Sequence, residues 1–119
     1  MAIEMIKKNY EFRRLYAKGK SASTYRLVLC CRPNGRPYNR FGISISTKVG
    51  KAVVRNKQRR RLKEIFRNYG SLLKPGYDIV VSVRVRGGDA ALEELKSDFF
   101  YLADKLTISK SRPDPADLS

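Results

Sequence analysis

The chain has 119 residues, enough for one domain with a modest core and too few for two. Its 26 Lys and Arg against 11 Asp and Glu give a net charge of +15, which points to polyanionic partners. It contains no His, so the side chain most used for proton transfer near neutrality and the commonest zinc ligand are both missing.

The first predicted element is a short helix from Asn9 to Lys18, with Asn9 as its N-cap, Phe12, Leu15 and Tyr16 as its apolar residues and Gly19 past its end. Strand-like runs follow at Tyr25 to Cys31 and Arg40 to Thr47, the second alternating Phe41, Ile43 and Ile45 with small residues. Pro33, Asn34, Gly35 and Pro37 lie between them, and a turn there predicts an antiparallel hairpin. Cys30 and Cys31 are adjacent in the first run. Neighbouring strand residues point to opposite faces, so a disulfide between them is geometrically poor, and two reduced, packed thiols in a reducing compartment are expected.

A second helix is predicted from Lys51 to Asn68, ending near Gly70, and a third strand from Tyr77 to Val85, ended by Gly87 and Gly88. Asp89 is the expected N-cap of a last helix, in which Leu92, Leu95, Phe99, Leu102 and Leu106 recur at spacings of three and four. Residues 1–108 read as a single domain and 109–119, with Pro113 and Pro115, as a disordered tail. The fold class is α/β, of the α+β kind: a central sheet of about four strands carrying three helices. The apolar run Leu27 to Cys31 is far too short to cross a bilayer and the N-terminus lacks a signal-like apolar stretch, so a cytoplasmic protein without a membrane partner is expected.

The charge is unevenly placed. Residues 12–77 carry 18 Lys or Arg and one acid, Glu64, for a net +17, whereas residues 78–119 sum to −2. Its densest part, Lys48 to Arg67, contains Lys48, Lys51, Arg55, Lys57, Arg59, Arg60, Arg61, Lys63 and Arg67. Projected as a helix, Val54, Gln58, Leu62, Ile65, Phe66 and Tyr69 share an arc that suits packing on a sheet. Asn56, Arg59, Arg60, Lys63 and Arg67 form the neighbouring arc, a polar stripe that can follow a phosphate backbone. Arg55 projects into the apolar arc, so its charge must emerge at the helix end or in a groove that holds an anion. Phe12, Tyr16 and Tyr25 become candidates for stacking on unpaired bases if they remain exposed.

The string Arg55-Asn56-Lys57-Gln58-Arg59-Arg60-Arg61-Leu62-Lys63-Glu64 closely resembles the signature of the bacterial ribonuclease P protein subunit. Phe41 to Val54 resembles that family's strand and loop leading into the signature helix, Phe12 to Gly19 its first helix, and Tyr77 to Val85 its last strand. The resemblance covers most of residues 7–106. It implies a sheet with three helices and a left-handed crossover through the basic helix. It also implies a protein partner for a catalytic RNA that removes the 5′ leader of precursor transfer RNA, with Mg²⁺ acting through the RNA and no cofactor bound by the protein. Carried over, it sets Arg55, Asn56, Arg59, Arg60 and Lys63 against the RNA subunit, and Phe12 and Tyr16, with Tyr25, along a leader cleft. Two positions depart from the family pattern: Lys63 where Arg is frequent, and Gln58 where an apolar residue is usual.

The residues themselves support a binder more than a hydrolase, because the basic region offers no His and one carboxylate, too few for an acid/base pair or a metal cluster. The acids Asp89, Glu93, Glu94 and Asp98 suit the positive end of the last helix. A structural RNA-binding protein, such as a small ribosomal component, would share the size and charge. DNA binding is not expected, since the basic helix is amphipathic along its length and no dimeric half-site arrangement is evident.

Overall fold

Apolar spacing and glycine breaks build most of the expected elements. The computed structural model describes residues 3–110. In chain order these form β1 (Glu4–Met5), α1 (Asn9–Lys18), β2 (Lys20–Ser23), β3 (Leu27–Pro33), β4 (Arg40–Ile45), α2 (Ala52–Tyr69), β5 (Tyr77–Val83) and α3 (Leu92–Lys105). The α+β class and the three helices stand; the sheet has five strands rather than about four. The two strands that no predicted segment matches are those with the weakest sequence signal. β1 is two residues long, and β2 is the polar, small-residue run Lys-Ser-Ala-Ser, held by pairing with β3 from Lys20↔Cys31 to Ser23↔Val28.

The expected hairpin between β3 and β4 does not form. The strand order is β1-β4-β5-β3-β2, so β5 lies between them, antiparallel to β3 and parallel to β4. β5 contributes Ile79, Val80, Val81 and Val83, all buried, and a strand that is apolar on both faces belongs at the centre of a sheet. β4 and β5 are joined by a crossover through α2, which fixes the basic helix on one face of the sheet.

That face is the larger core. Leu27, Leu29, Cys31, Phe41, Ile79, Val81 and Val83 meet Leu62, Ile65 and Phe66 of α2 and Leu95, Phe99 and Leu102 of α3. Phe66 is at its centre, stacked on Phe41 with centroids 4.6 Å apart and tilted against Phe99 at 5.9 Å. The opposite face carries Cys30 and Val80 under Leu15, Ile6 and Phe12. The two cysteines therefore point to opposite faces, both free and buried, and burial raises both thiol pKa values, that of Cys31 to about 11.

Helix boundaries shift by small amounts. Lys8, not Asn9, precedes α1 as its cap residue. Gly19 ends α1 with an ordinary negative φ, and close approach explains the glycine: a Cβ would lie 2.6 Å from the Leu15 carbonyl oxygen and 2.8 Å from that of Cys31. Asp89 does not cap α3. Ala91 takes that place, and Glu94 accepts from its backbone N–H at 3.0 Å, satisfying a donor that no polar side chain at the cap position serves. Of the expected tail, Ser109 pairs with Leu73, and the Lys110 N–H donates to the Leu72 carbonyl; residues 111–119 lie outside the described part.

Candidate nucleic-acid interface

The inner face of α2 is as its periodicity requires. Gln58, Leu62, Ile65 and Phe66 are buried, and Val54 and Tyr69 are half-buried. Gln58 is fully buried, and its amide Nε2 donates to the carbonyls of Gly87 (2.6 Å) and Ala90 (3.1 Å) while its Oε1 accepts from Arg61. A polar residue on the packed face thus ties the basic helix to the segment between β5 and α3, with every hydrogen-bonding atom of its amide head in use on the acceptor side and both protons engaged. Arg61 also donates to the Ala90 carbonyl, so it serves the fold, apart from the outer stripe.

The outer flank presents the predicted stripe. Asn56, Arg59, Arg60 and Lys63, with Val53, line an open groove of about 500 Å³. Arg59 donates from Nη1 to Asn56 Oδ1 at 3.0 Å, which orients its guanidinium along the groove. Lys57, Arg60 and Arg67 are exposed on the helix, and Lys48 and Lys51 are exposed just before its first turn. Arg55 resolves its conflict with the apolar arc by turning back to the helix start, where Nε donates to the Gly50 carbonyl at 3.1 Å. The first turn of α2 carries no acidic residue and no side-chain cap, so the positive end of the helix dipole adds to the charge of Lys48, Lys51 and Arg55. Val53, 78% exposed within this stripe, is a groove residue that the charge pattern did not flag.

Carboxylates are spent elsewhere. Among the described residues, the ion pairs are Arg26 with Glu94 and Asp98, Arg40 with Glu11 and Asp78, and Lys96 with Glu93. None uses a cation of the basic helix. The hydrogen bond that Arg26 donates to Asp98 leads the causes that raise the Arg26 pKa, and the one that Arg40 donates to Asp78 leads those that raise Arg40. Burial pulls the Asp78 pKa upward, but hydrogen bonds from Arg40 and Asn34 outweigh it and hold the carboxyl below its ordinary value. The expected acidic cluster is therefore divided between Arg26, Lys96 and the start of α3, and among the described residues no group of three His, Cys, Asp or Glu could hold a metal ion.

The aromatic candidates separate. α1 crosses the sheet on the face opposite α2, and Phe12 packs so closely on Gly42 that a Cβ there would meet its ring at 2.9 Å. On one side of α1 a row of the sheet is left partly open, with Val28, Ser82 and Ser44 in register across three strands. Tyr16 overhangs that row, 47% exposed, its hydroxyl 3.4 Å from Ser82 Oγ. Phe12, half-buried on the sheet, and the exposed Tyr16 thus project from one helix toward the same sheet face. Tyr25 precedes β3 instead of opening it, and lines a different hollow with Val49, Val54, Arg86 and Asp89. It is 63% exposed, and the Arg86 guanidinium lies 4.9 Å from its ring centroid. The sequence reading missed Arg86, a cation in the acidic half of the chain.

Known proteins share both the sequence and this arrangement. The Ribonuclease P family model matches residues 2–107. A ribonuclease P protein component of Clostridioides difficile is 42% identical over 105 residues, covering 87% of this chain and 92% of that one. One from Alkaliphilus oremlandii is 36% identical, covering 92% and 96%. Among solved structures, the ribonuclease P protein of Staphylococcus aureus superposes with a TM-score of 0.83 at 30% identity, over 92% of this chain and all of that one. The Thermotoga maritima protein gives 0.78 at 30% identity, over 86% and 96%. With the match running through the basic helix and across nearly the whole fold, the chain belongs to the bacterial ribonuclease P protein family.

Proposed function

We propose that this chain binds the catalytic RNA of ribonuclease P through the outer flank of α2 and holds the 5′ leader of precursor transfer RNA on the sheet face under α1. In this reading Lys48, Lys51, Arg55, Asn56, Lys57, Arg59, Arg60, Lys63 and Arg67 contact the RNA subunit. Phe12 and Tyr16 contact the leader, and Tyr25 with Arg86 extends the aromatic surface at the start of α2. The observation that carries the proposal is the unpaired stripe: Arg59, Arg60, Lys63 and Arg67 lie along one face of α2, with Lys48 and Lys51 just before its first turn, while the ion pairs among the described residues are formed elsewhere. Cations left without acids on a rigid helix are preorganised for phosphates. The surface under α1 suits a single strand, because Tyr16 beside the hydroxyls of Ser82 and Ser44 offers stacking and hydrogen bonds without a shape that demands one base.

Hydrolysis is assigned to the RNA, with Mg²⁺ held there. In support, Glu11, Asp78, Glu93, Glu94 and Asp98 are bound to Arg26, Arg40 and Lys96, and among the described residues no three acids gather where they could hold a catalytic ion. RNA rather than DNA is the expected partner, and the cytoplasm the expected location; no helix of the described residues is long and apolar enough to cross a membrane. Reconstitution tests the proposal. The protein alone should leave precursor transfer RNA intact, and its addition to the catalytic RNA at low Mg²⁺ should raise the rate of 5′ maturation. Cleavage by the protein alone, or no enhancement, would refute it.

A further inference from the structure

The other flank of α1 holds a second cationic pocket. Strand register sets Arg32, Asp78 and Arg40 side by side across β3, β5 and β4. By alternation they share the sheet face of Cys30 and Val80, and so lie on the α1 side. Together with Tyr10, Arg14 and Arg36 they line a hollow of about 310 Å³, at the small end of the range of ligand sites. Two acids, Glu11 and Asp78, also face it, and Arg40 holds both. Its Nη2 lies 2.6 Å from Glu11 and 2.7 Å from Asp78, and its Nε donates to Asp78 at 2.9 Å. Arg14, Arg32 and Arg36 therefore have no ion-pair partner within 4.0 Å among the described residues.

The pocket is built, not merely basic. The loop after β3 is fixed by Asn34, whose Oδ1 accepts from the Arg36 N–H at 2.8 Å and whose Nδ2 donates to Asp78 at 3.0 Å. Arg36 is further held by its hydrogen bond to the Tyr38 hydroxyl at 2.9 Å. At the rim, Tyr10 is 49% exposed, with Lys8 and Arg14 at 5.7 and 5.8 Å from its ring centroid. We infer that this pocket binds one nucleotide of unpaired RNA, its phosphate against Arg14, Arg32 and Arg36 and its base against Tyr10. The three arginines match a phosphodiester in charge and geometry, and an aromatic beside them selects a strand whose bases are free. The inference rests on the proposed RNA-binding role but concerns a different surface from the basic helix and from that under Tyr16.

Two RNAs could supply that nucleotide, and two arms of one experiment separate them. Arg32→Gln with Arg36→Gln, and separately Tyr10→Ala and Tyr10→Phe, are compared with wild type. One arm measures affinity for the RNA subunit; the other measures affinity of the reconstituted holoenzyme for precursor transfer RNA with and without its leader. The double variant is expected to bind about fivefold more weakly in one arm, Tyr10→Ala about threefold, and Tyr10→Phe to retain wild-type affinity. Loss confined to leader-bearing substrate identifies the leader, and loss in the first arm identifies the RNA subunit. Unchanged affinity in both arms, or a loss matched by a lower thermal midpoint, would overturn the pocket. A wild-type protein that neither bound the RNA subunit nor favoured leader-bearing substrate would instead overturn the reading on which the pocket depends.

Discussion

Arg40 and Arg60 are the same side chain in two settings. Arg40 is at the sheet with its guanidinium between Glu11 and Asp78, its side chain 13% exposed; Arg60 stands in an open groove with no acid within reach among the described residues. The first region uses cations to hold strands and helix α1 together, and the second leaves them outside the ion pairs of the described residues, as the proposed RNA contact requires. Burial and a carboxylate neighbour, rather than residue type, separate structural from functional charge in this basic chain.

Mutations should divide along the same line. Arg40→Ala removes the partner of two partly buried carboxylates and is expected to cost about 3 kcal/mol of stability, read by denaturant unfolding. A loss of RNA affinity without unfolding would break the distinction. Arg59→Ala with Arg60→Ala is expected to do the reverse, weakening RNA association roughly 10- to 100-fold, about 1.4 to 2.8 kcal/mol, while unfolding shifts by less than about 0.5 kcal/mol. Gln58→Leu tests the boundary between the regions. It keeps the volume of the packed face but strips the donors from Gly87 and Ala90, with an expected cost of about 1–2 kcal/mol and intact stripe chemistry.

Much of this boundary was legible in the sequence. The 3.6-residue period of α2 separates Leu62, Ile65 and Phe66 from Asn56, Arg59 and Arg60 without coordinates, and Arg55 is correctly marked as the residue that must turn aside. Strand order was not legible, because the Pro- and Gly-containing turn after Cys31 is compatible with a hairpin. Only the two-faced burial of β5 shows which strand takes the centre. The pocket beside Arg40 was equally hidden. Tyr10, Arg14, Arg32 and Arg36 are scattered in sequence, and Asp78 belongs to the acidic half of the chain, so register alone assembles them. Tyr25, in the bend just before β3, lines a hollow with Val49, Val54 and Arg86, a grouping that its sequence neighbours do not announce.

Two smaller effects sharpen the structural side of the comparison. Asp78 has a lowered pKa in the folded protein, so its pairing stabilises the fold above the ordinary carboxylate pKa, and that contribution is lost as pH falls through the lowered folded value. Unfolding measured from neutral pH into acid should therefore show a steeper loss for wild type than for Asp78→Asn, which begins less stable. Parallel curves would remove Asp78 from the account. The thiols give the smallest signal. Buried and with raised pKa values, Cys30 and Cys31 should resist alkylation at mildly alkaline pH in the native protein and react once it is unfolded.

The most direct measurement is the affinity of the protein for the RNA subunit across a range of salt concentrations, for wild type and for Arg59→Ala with Arg60→Ala. The wild-type logarithmic slope should be steep, and the double variant should be shallower by roughly 1.5 to 2, one increment for each phosphate no longer neutralised. Identical slopes, with the variant still folded, would mean that the outward flank of α2 does not meet the RNA.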